Sequence, residues 1–429
     1  MGATEKPDGP RVRLVWPDGQ SDAAQLRVLG KSGGAGEVFN IEDRPELVAK
    51  IYHEALGPAQ LAKYERKLHW MVGNRPALPA IPSQYRGIVQ LAWPVAIVMR
   101  EGRFAGFAME KIDFARTLEL DYLLNRRQAA GEGFTVDFGK LVTVCYNLAT
   151  LIDCLHGRRI AVVDLKPINL KVYKSELYVS ILDCDGFHID AADFVAEAPQ
   201  VTPEYLAPEF HGGAVRLPQS QDSFALATIV FRLLNYGIHP YAGLATGRQP
   251  YPTELAGRIR QGLYPYGRQV MQHVLPTPAS VHDCLPDALR TLFDRSFVPI
   301  NGSRVSAGEW AATLERYAGR HSGGMAHCPA GHLKFAGMDC ASCRREGILQ
   351  VHAERHRKFA ARVRATPVRA LKYVRRTLRG THTSPFQAAL AQAQLNPIQI
   401  APVTLPLRNV LAIEILWALG LFVTYWWLR

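Results

Sequence analysis

The 429 residues carry 48% apolar and 21% charged side chains, an ordinary globular mixture that excludes a disordered or fibrous chain and is long enough for two or three domains around a sizeable core. The formal charge of +12 is concentrated: Arg344 to Arg379 holds twelve Lys or Arg against two Glu, a net of +10, so the basicity describes one segment and not the body. Seven cysteines, four of them scattered, argue for buried thiols in a reducing compartment and against a disulfide framework.

Residues 1–20 read as a loose tail, without the apolar run of a signal peptide. Gln25 to Leu29 alternates polar and apolar residues, as a strand does, and runs into a glycine cluster, Gly30-Lys31-Ser32-Gly33-Gly34-Ala35-Gly36-Glu37-Val38. Glycines there let backbone N–H groups approach a phosphate, because no Cβ stands in the way. Val38–Ile41 and Leu47–Tyr52 read as the next strands, the second carrying Lys50. A helix is expected over roughly 58–72, then strands over 91–99 and 104–109. From residue 139 the period changes. Leu141, Val144, Cys145, Leu148, Ile152 and Leu155 recur at helical spacing, and further helices are expected over 222–235 and 285–297.

Between these helices lie three short polar motifs. Asp164-Leu165-Lys166-Pro167-Ile168-Asn169 puts a carboxylate, an ammonium and an amide in one loop, after a long apolar helix and before a strand-like Leu177–Leu182. Asp183-Cys184-Asp185-Gly186-Phe187 follows, and then Thr202-Pro203-Glu204-Tyr205-Leu206-Ala207-Pro208-Glu209. Phosphoryl transfer needs one carboxylate to orient a hydroxyl, another to hold magnesium, and an amide to help hold the metal.

In this order and at these separations the motifs resemble the catalytic half of the eukaryotic-like (Hanks-type) bacterial serine/threonine protein kinases, and the resemblance covers about residues 25–317. It implies an α+β, bilobal fold: a β-rich N-lobe over 21–115 and a helical C-lobe over 116–320. It implies ATP with Mg2+ (or Mn2+) as cofactors, and it assigns roles. Asp164 is the catalytic base or hydroxyl-positioning carboxylate, Lys166 neutralises charge on the transferred phosphate, and Asn169 and Asp183 hold the metal. Asp185 is the alternative to Asp183, or a second metal contact. Gly33, Gly34, Gly36 and Val38 cover the phosphates, while Gly30 stands one residue too early for the usual first glycine. Lys50 grips the α- and β-phosphates, held by Glu65 or, as the weaker candidate, Glu54. Met109 and Glu110 begin the adenine-binding hinge. Glu209 pairs with Arg304, and Asp222 ties down the catalytic loop. Where the family often has His-Arg before the catalytic Asp, this chain has Val162-Val163. A phosphate on the activation segment would lack its usual arginine partner, so activity is expected not to depend on phosphorylation of Thr202.

Three segments lie beyond the kinase-like part. Cys328-x3-His332-x7-Cys340-x2-Cys343, over 325–346, is a candidate structural Zn2+ knuckle, with His327 as the alternative to His332 and with Gly331 and Gly337 at tight turns. A basic and Pro/Gln-rich linker covers 347–408. Its 355–379 stretch would attract anionic lipid, and it has too few aromatics to favour nucleic acid. Residues 409–428 are mostly apolar, carry one charge, Glu414, and end in Trp426-Trp427. They read as a single transmembrane helix, with the positive-inside bias placing the kinase part in the cytoplasm, at a bacterial inner membrane. The reading that results is a membrane-anchored Ser/Thr kinase acting on unidentified proteins. A pseudokinase scaffold and a tethered nucleic-acid binder are the competing readings.

Overall fold

The computed structural model describes residues 8–365 apart from 33–34, 199–200, 212, 214, 216, 247–249, 270, 272, 299–302 and 319–322. Gly33, Gly34, the distal part of the basic stretch and the expected membrane span at 409–428 lie outside the described residues.

The N-terminal part is a closed barrel of six antiparallel strands: β1 (Asp8–Val15), β2 (Ser21–Ser32), β3 (Gly36–Ile41), β4 (Arg44–Tyr52), β5 (Pro94–Arg100) and β6 (Arg103–Glu110). Their order is β1-β2-β3-β4-β6-β5, and β1 closes the ring by pairing with β5. The expected loose tail over 1–20 is therefore corrected. Arg11-Val12-Arg13-Leu14 alternates outward charge with inward apolar residues, and Val12 and Leu14 are buried with Leu26, Phe39 and Val98. The N-lobe begins at the first strand rather than at residue 21.

Between β4 and β5 runs the helix α1 (Gly57–Gly73), which turns Tyr64, Lys67, Leu68, Met71 and Val72 inward. The main core lies under it. The Phe138–His156 helix is apolar almost all round because it is the centre of the helical lobe, with every residue of the expected stripe at 2% exposure or less. Among the described residues it is also the one helix long and apolar enough to cross a membrane, and it is an interior helix. The helix Pro218–Leu234 packs beside it, and Asp287–Phe297 packs on Pro218–Leu234 through an aromatic cluster centred on Phe231.

Two contacts position the site, one between the lobes and one inside the barrel. Ala92 N–H donates to the Ile181 carbonyl at 3.0 Å, and Ile181 N–H to that of Gln90 at 2.9 Å, so the strand leading to Asp183 is stitched to the chain entering β5. Gly106 on β6 lies so close to β4 that a Cβ there would collide with the Lys50 carbonyl oxygen, which fixes the lysine's strand against its neighbour.

The Cys/His segment, read from the sequence as a small zinc knuckle over 325–346, packs into the helical lobe. Its hairpin, Met325–His327 with Leu333–Phe335, drives Phe335 edge-on against Phe138 and Tyr317, with centroids at 6.1 and 5.2 Å. Phe335 is 2% exposed. A helix, Ala341–Ala365, follows, and its first turn is tied down by Arg344 to Asp283 and by Arg345 to the Ala279 carbonyl.

Candidate functional site

A cleft of about 730 Å3 opens between the barrel and the helical lobe. Its apolar walls include Leu29, Val38, Val48, Ala92, Met109 and Leu182, and its rim carries Glu110, Lys111 and Asp183. Apolar faces above and below with backbone at one edge suit a flat heteroaromatic ring. The expected hinge, Met109–Ile112, lines this edge, and the Glu110 carboxylate is engaged by Arg75. Gly36 begins β3, opposite Tyr52 of β4.

Lys50 points from β4 toward the segment 183–187. Its ammonium lies 2.9 and 3.0 Å from the two oxygens of Asp185 and 3.4 Å from Oδ1 of Asp183. Burial pulls the pKa of this lysine down, but Asp185 and then Asp183 more than offset it, so the ammonium is held above its ordinary range. The expected carboxylate from α1 is corrected. Glu65 is half-buried on the helix and Glu54 is exposed before it, and neither is a partner of Lys50. The inward face of α1 carries Tyr64 and Lys67 instead.

The two aspartates of Asp183-Cys184-Asp185 are differently placed. Asp183 sits in the left-handed region at φ 53°, with its side chain 64% exposed toward the cleft. Asp185 is 4% exposed and also accepts from the Tyr52 hydroxyl at 2.8 Å. Cys184 between them is fully buried, and burial drives its thiol well above the ordinary range, so it acts as packing. Phe187 is buried against Trp93.

The loop 164–169 lies under this segment. The Asn169 side-chain amide donates to the Asp164 backbone carbonyl at 3.3 Å, and the backbone carbonyl of Asn169 accepts the N–H of Leu182, the residue before Asp183, at 2.9 Å. Asp164 is bound through both oxygens: Lys166 at 2.7 Å on Oδ2, and the hydroxyl and N–H of Thr202 at 2.7 and 2.9 Å on Oδ1. Lys166 also donates to the Thr202 hydroxyl at 2.9 Å. Sequence reasoning treated Thr202 only as a modification site. Its place on Asp164 was not legible, because 38 residues of chain separate them. Thr202→Ala does not isolate the effect of phosphorylation, since it also removes a hydroxyl from the site.

Supporting contacts hold the loop. Asp222, fully buried, accepts the N–H groups of Val162 and Val163 at 2.7 Å each and lies 3.0 Å from Nε2 of His156. Val163 is itself left-handed, at φ 65°, an uncommon state for a β-branched residue. Arg304, 3% exposed, forks onto Glu209 and reaches the Ser296 carbonyl.

The second site is compact. One ligand atom from each of Cys328, His332, Cys340 and Cys343 lies within 4.8 Å of all the others. The Sγ atoms of Cys328 and Cys343 are 3.7 Å apart, and Nδ1 of His332 is 3.3 and 3.8 Å from those of Cys343 and Cys340. Tetrahedral zinc with its usual Zn–S and Zn–N bonds needs ligand separations of about 3.5–3.8 Å, so these donors fit the ion. Nε2 of His332 faces Glu346 at 3.4 Å, the outer carboxylate that fixes a ligating imidazole. His327 hydrogen-bonds the Gly331 carbonyl and stands outside the cluster. Gly331, at φ 82°, makes the turn between the first two ligands.

No family model matches the chain. It is 27% identical over 305 residues to "Protein kinase YegI" of Escherichia coli (strain K12), a match covering 67% of this chain and 44% of that protein. The same identity and coverage hold for "Protein kinase YegI" of Escherichia coli O157:H7. The match spans less than half the length of these curated relatives. Together with the β-rich barrel, the helical lobe and the cleft between them, the similarity makes this a kinase-like protein.

Proposed function

We propose that the chain is an ATP-dependent protein serine/threonine kinase, anchored to a membrane by residues 409–428. The observation that carries the reading is the junction of Lys50 with Asp183 on one side of the cleft and of Asp164 with Lys166 and Thr202 on the other, joined through Asn169. Asp183 and Asn169 would hold Mg2+, whose chemistry is to neutralise and bridge phosphate oxygens. The exposed Asp183 carboxylate suits that ion, whereas Asp185 is buried and already holds three hydrogen bonds. Lys50 would bind the α- and β-phosphates. Asp164 would orient the acceptor hydroxyl and take its proton, and Lys166 would balance charge on the transferred group. Transfer is direct, with no covalent enzyme intermediate. Zn2+ in the Cys3His cluster is structural, since four protein ligands leave no open position. The basic stretch 355–379 would face anionic headgroups next to the anchor.

The test is transfer of radiolabel from ATP and Mg2+ to a generic acceptor such as casein, with Asp164→Ala as control and phosphoamino-acid analysis of the product. Incorporation that is lost in Asp164→Ala and recovered as phosphoserine or phosphothreonine supports the reading. Equal incorporation in both chains ends it. A second reading, a pseudokinase that binds nucleotide and signals by contact, draws on the hold that Asp185 already has on Lys50. Nucleotide binding without transfer would favour it. Flotation of the full chain on vesicles, set against a chain stopped at residue 408, tests the anchor.

A further inference from the structure

The contact between α1 and the segment 183–187 has its charges reversed relative to what the sequence led us to expect. α1 contributes a cation: Lys67, 4% exposed, donates to the Phe187 carbonyl. The segment contributes the carboxylate, and Asp185 receives Lys50 through both oxygens and the Tyr52 hydroxyl through one. Lys50 and Tyr52 lie on the same strand, two residues apart on one face. Tyr64 fills the inward position on α1, stacked on Tyr52 with centroids 4.6 Å apart. The polar grip on Lys50 is thus built from 183–187, with Tyr52 of β4 bracing Asp185 and the Phe107 ring of β6 beside the ammonium, while α1 supplies only a ring to its outer side.

We propose that Asp185 is a positioning residue that holds Lys50 ready for the nucleotide phosphates, in place of a carboxylate from α1. The assignment rests on the kinase reading above. It divides the labour of the two aspartates: Asp183, exposed and at 3.4 Å, can turn to a metal ion while Asp185 keeps the lysine. It also uncouples Lys50 from movement of α1, since no ion pair between helix and lysine has to form.

The experiment uses the full chain as wild type, Asp185→Asn, Asp185→Glu and Glu65→Gln. The first readout is the rate of acylation of Lys50 by an N-hydroxysuccinimide ester in nucleotide-free protein, followed by peptide mass spectrometry. Losing the carboxylate that holds the ammonium at 2.9 and 3.0 Å leaves the amine less tightly held, so Asp185→Asn should acylate about tenfold faster. Asp185→Glu, which keeps the charge, and Glu65→Gln should stay within about twofold of wild type. The second readout is the Kd for a non-hydrolysable ATP analogue with Mg2+, expected to weaken about tenfold in Asp185→Asn and little in Glu65→Gln. An unchanged acylation rate in Asp185→Asn, or a tenfold rise in Glu65→Gln, overturns the assignment. If Asp185→Asn does not fold, the Glu65→Gln arm decides alone: a rise refutes and constancy supports. A wild-type chain that binds no nucleotide refutes the kinase reading instead, and the acylation arm still reports on the grip.

Discussion

Removing the Asp222 carboxylate should damage the proposed catalytic loop, 162–169. In Asp222→Ala two buried N–H groups, of Val162 and Val163, lose an acceptor at 2.7 Å, and His156 loses its partner at 3.0 Å. Each stranded buried donor costs about 1–3 kcal/mol, so the pair costs about 4 kcal/mol. Val163 holds a left-handed backbone at a cost of about 1–2 kcal/mol that the Asp222 contact helps to sustain, so the loop can relax from its native path once that contact is gone. At roughly 2 °C per kcal/mol for a domain of this size, Tm should fall by about 8 °C. Asp164 is the next residue, so its carboxylate shifts with the loop. Transfer from ATP should fall about a hundredfold even at temperatures where the variant is fully folded. Calorimetry gives the first quantity and radiolabel transfer the second. Asp222→Asn, which keeps one acceptor oxygen, should lose about half as much Tm. An Asp222→Ala chain that melts within about 2 °C of wild type would refute the argument that this carboxylate holds the loop.

Three further outcomes are expected. Thr202→Ala should lower kcat about ten- to a hundredfold with KM for ATP unchanged, because it takes a hydroxyl from Asp164 and Lys166, whereas Thr202→Ser should stay within about threefold of wild type; equal loss in both would point to the methyl group instead. Dipicolinate should remove one zinc per chain, read by elemental analysis, and lower Tm by several degrees, because the hairpin carrying Phe335 is part of the lobe's core; an unchanged Tm would show that the metal holds nothing. His239 should make the chain acid-sensitive. It is buried and neutral, accepting from Tyr241 N–H at Nδ1 and facing the Glu204 carbonyl at Nε2, and burial lowers its pKa from 6.5 to about 3. The unfolded chain therefore binds the extra proton. The histidine's contribution is whole above pH 6.5 and is lost as pH falls toward 3, with roughly 2 kcal/mol gone by pH 5. Urea melts at pH 5 and 7 should show His239→Gln losing less stability than wild type.

What the sequence made legible was whatever depends on neighbours along the chain. The apolar stripe from Leu141 to Leu155 is a helix because its period is helical, and the loop 164–169 carries its groups together because they are adjacent. The four zinc-type ligands lie within sixteen residues, close enough for spacing alone to suggest a cluster. The strand at 8–15 is hard to read because Gly9 and Pro10 stand inside it and charges occupy its outer face, which hides the alternation.

The partner of Lys50, the place of Thr202 and the seat of the Cys/His segment depended on tertiary structure. Each is a contact between groups 36 to about 200 residues apart, and side-chain type does not say which of several carboxylates a buried ammonium will meet. Glu65 and Asp185 are equally good anions on paper. Burial chose between them, because Asp185 lies under the barrel with Lys50 and Tyr52, while Tyr64 takes the inward place on the helix next to Glu65.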